Sequence, residues 1–168
     1  VLRRYESFAT PSHTQKRKLS VGSTSLASNL RTDADLDIAL KDGEYLKAIS
    51  ILEESVKRGG RSDLRVHQLY KLLIEHKDFK RLERYSQLII ELLLGRGQKL
   101  PAYEFVTLLR DANPEFCLFD IELSNELAEL FYEMKEYALV LWLAKDAHSR
   151  FEPSQHLAKL YLLTAKIL

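Results

Sequence analysis

The residues of this 168-residue chain best suited to metal binding or nucleophilic chemistry are five histidines and one cysteine. The histidines stand at 13, 67, 76, 148 and 156, and the thiol is Cys117. Zinc and related sites need ligands at short paired spacings, which place two donors on one helix face or one turn. No His-Glu-x-x-His and no Cys-x-x-Cys is present. A lone thiol cannot build a disulfide framework. Within Phe116-Cys117-Leu118-Phe119 it reads as a small buried hydrophobe, with no basic neighbour to generate a thiolate. Gly95-Arg96-Gly97 is the one glycine pair that could suggest phosphate binding, but no strand precedes it and no Gly-Lys-Ser/Thr follows. The carboxylates are numerous and scattered, so no pair stands out as an acid–base couple. The expectation is a non-enzymatic chain with no metal and no cofactor.

The elements that would position these residues read as helices throughout. Apolar side chains recur at three- and four-residue steps and glycine and proline are few. Helix 1 is expected from Thr32 or Asp33 to Gly43, with Asp33, Asp35 and Asp37 in the dipole-favoured first turn. Helix 2 covers about 44–57, ending at Gly59-Gly60. Helix 3 is capped by Ser62 or Asp63 and reaches His76, and helix 4 runs unbroken over 79–94. Helix 5 carries Pro101 in its first turn and closes at Asn113-Pro114. Helix 6 covers 120–134. Helix 7 opens at Tyr137, and its run Tyr-Ala-Leu-Val-Leu-Trp-Leu-Ala predicts burial on all sides. Helix 8 begins with Ser154 as cap and runs to the end. No run approaches the roughly 20 apolar residues a bilayer span needs.

Three short stretches join these helices in the same way: Lys41-Asp42-Gly43-Glu44-Tyr45, Glu75-His76-Lys77-Asp78-Phe79 and Glu133-Met134-Lys135-Glu136-Tyr137. Each is a polar break followed by an aromatic, with a small or apolar residue three further on: Ala48, Leu82 or Val140. Each predicts the tight turn of an αα-hairpin, its aromatic wedged against the preceding helix. Tyr45 and Phe79 are 34 residues apart, a period typical of helical-repeat arrays. Gly43-x-Tyr45-x-x-Ala48 resembles the turn signature of tetratricopeptide repeats (TPR). The second copy has Asp78 and Leu82 where that family carries small residues, and the third lies 58 residues on, out of phase. Tyr137 to Ala147, followed by His156-Leu157-Ala158-Lys159-Leu160-Tyr161, is similar to the Sel1-like variant. The resemblance implies an all-α α-solenoid of antiparallel helical hairpins, about eight helices, over 33–168. It also implies a concave groove lined by the first helix of each pair, where a peptide or helix of another protein would lie. Carried onto this chain, the groove candidates are Arg65, Gln68 and Lys71 on helix 3 and Glu122, Asn125, Glu126 and Glu129 on helix 6. Helix 8 adds Gln155, Lys159 and Lys166, and His67 and His156 sit on the same first helices.

Charge is distributed unevenly. Of 25 Lys and Arg and 24 Asp and Glu, six bases and one acid fall within 1–32, leaving 19 bases against 23 acids over 33–168. The basic, Ser-rich and acid-poor segment 1–32 resembles the end of a mitochondrial presequence. The helical part is mildly acidic, a poor match for a phosphate backbone. That balance disfavours the alternative of a pentatricopeptide-repeat (PPR) RNA-binding factor, whose inter-repeat links Arg96 to Tyr103 and Arg150 to Pro153 vaguely resemble. The expected role is a protein–protein adaptor or scaffold, with mitochondrial complex assembly as its setting; a structural subunit of a cytosolic assembly is the other alternative. The apolar end Tyr161–Leu168 and the absence of an initiator Met lead to the expectation that the chain is part of a longer protein.

Overall fold

The computed structural model describes residues 30–58, 63–117 and 120–168. The basic segment up to residue 29, the Gly59-Gly60 break, the Ser62 cap and Leu118-Phe119 lie outside the described residues. Every element among the described residues is helical: α1 (30–41), α2 (Tyr45–Arg58), α3 (Asp63–Glu75), α4 (Phe79–Arg84), α5 (Ser86–Gly95), α6 (Lys99–Ala112), α7 (Ile121–Glu133), α8 (Tyr137–Arg150) and α9 (Ala158–Ile167). A 3-10 turn, Gln155–Leu157, leads into α9. The all-α expectation holds. No helix among the described residues is long and apolar enough to cross a membrane.

The chain divides into two compact units, Val1–Ser55 and Val56–Leu168. The described part of the first holds α1 and most of α2, with Leu36, Ala39, Ala48, Ile49 and Leu52 buried. In the second, α3 packs on α4 and α5, and α6 on α5 and α4. Further along, α7 packs on α8 and α9, and α8 on α9. Helices therefore meet their next and next-but-one neighbours in sequence. The largest fully buried side chains here include Phe105, Phe116 and Phe131. Tyr70 meets Phe105 edge-on at 5.3 Å between ring centroids, and Tyr103 meets Phe131 at 6.2 Å. These rings tie α6 to α3 on one side and to α7 on the other.

The expected turns have a common backbone solution, and among the described residues there are four of them rather than three. Among the described residues those with positive φ are Gly43 (68°), Lys77 (53°), Gly97 (70°) and Lys135 (63°). After each, the next residue donates its N–H back to a buried turn: Glu44 to Ala39 O (2.9 Å), Asp78 to Leu73 O (3.0 Å), Gln98 to Leu93 O (2.9 Å) and Glu136 to Phe131 O (2.8 Å). The positive-φ residue itself donates to the residue three earlier. This Schellman pairing satisfies carbonyls that a helix end leaves orphaned. The same Asp78, Gln98 and Glu136 then cap the next helix, with φ/ψ of −81/72°, −85/66° and −84/61°. Four residues beyond each cap lie Ala48, Leu82, Ala102 and Val140, all fully buried. The turn at Gly97 escapes the sequence pattern because Lys99 stands where the others carry an aromatic. The wedge itself is seen at Tyr137, whose ring lies 5.6 Å from that of Tyr132 on α7.

Several local expectations are corrected. The helix expected over 79–94 is broken at Tyr85, whose φ/ψ of −100/8° opens the backbone between α4 and α5. Tyr85 and Ser86 are both buried there, and no glycine or proline marks the kink in the sequence. Helix 1 is already formed at Leu30, so Asp33 lies inside the helix rather than capping it. Ser154 makes no side-chain cap; it is extended and opens the 3-10 turn. The helix beginning at Tyr137 is not buried all round. It turns Leu139, Val140, Leu143, Ala144 and Ala147 inward, while Tyr137 is 41% exposed. That helix packs on α7 and α9.

The turn geometry makes opposite demands at glycine and lysine. A Cβ added at Gly43 meets nothing within 4 Å, so Gly43→Ala should destabilise by about 1 kcal/mol through backbone strain alone. Lys77→Gly and Lys135→Gly remove that strain and should stabilise by about 0.5 kcal/mol each. Urea unfolding midpoints at constant slope measure both signs.

Candidate functional site

The candidate groove residues fall into two groups, because α3 and α7 present their polar faces differently. On α3, Arg65 is buried at 6% exposure and donates to Gln68 Oε1 at 3.1 Å. The expected groove position of Arg65 is thus an internal one. His67 and Lys71 lie one turn apart on the same helix face. His67 is half-buried and Lys71 exposed. Burial holds the His67 imidazole below its usual pKa, and the positive charges of Arg96 and Lys71 lower it further. Its buried Nδ1 has no hydrogen-bond partner. Arg96 comes from the C-terminal cap of α5, which packs on α3. In the sequence Arg96 reads only as part of a glycine-flanked helix stop, so its place beside α3 was not legible there.

On α7 the candidates are tied into the fold. Asn125 Nδ2 donates to the backbone oxygen of His156 at 2.6 Å, and Glu129 pairs with Lys159 of α9. These bonds fasten α7 to the 3-10 turn and α9. Glu122 and Glu126 are exposed on the same face, and Gln155 is exposed where the 3-10 turn begins. Lys166 lies exposed on α9. Two contacts that sequence reading missed join α6 to the α7–α8 hairpin: Lys99 Nζ to Glu133 Oε2 at 3.0 Å, and Tyr103 Oη donating to Glu136 Oε1 at 3.3 Å. Gln87 Nε2 also reaches the α7 cap Asp120, donating to Oδ2 at 2.7 Å. Their partners stand 33 or 34 residues apart, but no motif marks them.

A third cluster gathers around Cys117, which is half-buried rather than fully buried. Asp146 on α8 is buried at 8% exposure and receives Arg150 Nε at 2.9 and 2.8 Å on its two oxygens. Arg110 lies over the Trp142 ring at 5.4 Å and Arg150 over Phe151 at 5.0 Å. Burial pushes the Cys117 thiol up to about 12, reinforced by its hydrogen bond to Asp146 and that carboxylate's charge; Arg150 and Arg110 oppose the shift. A thiol so held is a poor nucleophile at neutral pH. Among the described residues no group of three or more His, Cys, Asp and Glu side chains is arranged to hold a metal ion.

Two outcomes follow from this geometry. Cys117 should react with iodoacetamide at pH 8 at least about tenfold more slowly in the folded chain than in urea. The raised thiol pKa stabilises the fold fully below the ordinary value of 9.0, and this contribution is lost as pH rises towards about 12. Cys117→Ala should therefore flatten the decline of the urea midpoint above pH 9. Separately, Glu129 and Lys159 are 43% and 55% exposed in their side chains. A double-mutant cycle should give a coupling of about 0.5 kcal/mol that fades with salt.

No family model matches this chain, and no curated protein and no solved structure matches it.

Proposed function

We propose that this chain is a non-catalytic protein–protein adaptor of TPR-like or Sel1-like helical-repeat character. The observation that carries the proposal is the fourfold recurrence of one turn. At Gly43, Lys77, Gly97 and Lys135 the same backbone closes one helix, caps the next and buries the fourth residue beyond. Repetition of one hairpin device is the way helical-repeat arrays are built, and the faces of such arrays suit the docking of another chain. Glu122 and Glu126 on α7 and Lys71 on α3 supply charge on those faces. The warrant from architecture to function is analogy.

The setting we propose is the mitochondrion, in complex assembly. It rests on the composition of residues 1–32, with six bases against one acid. Affinity purification of the intact chain, with reversible cross-linking and mass spectrometry, tests the adaptor reading. The expected outcome is stoichiometric recovery of one or a few proteins. Recovery of RNA with no protein would replace that reading by an RNA-binding one. Import of a reporter fused behind residues 1–32 into isolated mitochondria tests the setting, and failure of import removes it.

A further inference from the structure

We draw no further inference here: the strongest candidate, the outward surface stripe of α6 on which exposed Leu100 and Leu108 alternate with exposed Glu104 and Asp111, is an unpartnered helix face, and nothing in the structure shows what covers it.

Discussion

Every helix end that leads into a tight turn here faces the same problem: its last carbonyls must be paired, and the chain must reverse within about three residues. One residue in the left-handed region solves both. At Gly43 and Gly97 the residue type suits the conformation, whereas at Lys77 and Lys135 an L side chain occupies it at positive φ. Such strain persists only where the surroundings over-determine it. The surroundings here are the buried residues whose carbonyls accept the turn's N–H groups, Leu73 and Phe131, and the buried residues in the first turn of the following helix, Leu82 and Val140. The turn and the core therefore stabilise one another. Moving the reversal by one residue would rotate each following helix by about 100° and turn its apolar stripe away from its neighbour.

Beyond the turns, the helices of the second unit are joined by a mixture of buried rings and peripheral polar ties. Phe105 and Phe131 are the buried members of two edge-on aromatic pairs that link α3, α6 and α7. Around them, Tyr103 to Glu136, Lys99 to Glu133 and Asn125 to His156 set how the α7–α8 hairpin meets α6 and α9. Ion pairs as exposed as Lys99–Glu133 contribute little stability. Their consequence is that much of the charge on α7 is already engaged within the chain. The side chains available for recognition are then fewer than the polar stripes suggest.

The remaining charge is organised by burial. Cys117 and His67 are both half-buried ionisable groups, and burial is the largest cause that pushes each towards its neutral form, while the charges that reinforce it differ. Cys117 faces the carboxylate of Asp146, which opposes a thiolate. His67 faces Arg96 and Lys71, which oppose an imidazolium. The first arrangement silences a thiol. The second disfavours the imidazolium.

What the sequence determined by itself was the local structure: all-α character, most helix boundaries among the described residues to within a few positions, and three of the four turns found there. Glycine, the charged breaks and the spacing of apolar residues act over a few positions, so they are legible there. Position Gly97 was missed because the aromatic that marks the other turns is replaced by Lys99. The kink at Tyr85 was missed because burial of Tyr85 and Ser86, rather than a helix-breaking residue, accompanies it. Tertiary structure alone decided which polar residues are spoken for. Arg65, Asn125, Glu129 and Lys159 look like surface groups in the sequence, but their partners are set by packing between helices or by burial. Arg96 looks like part of a helix stop and becomes a neighbour of His67 only when α5 folds back on α3. Electrostatics depends on distance in space, and in this chain the folding back of the helices sets those distances.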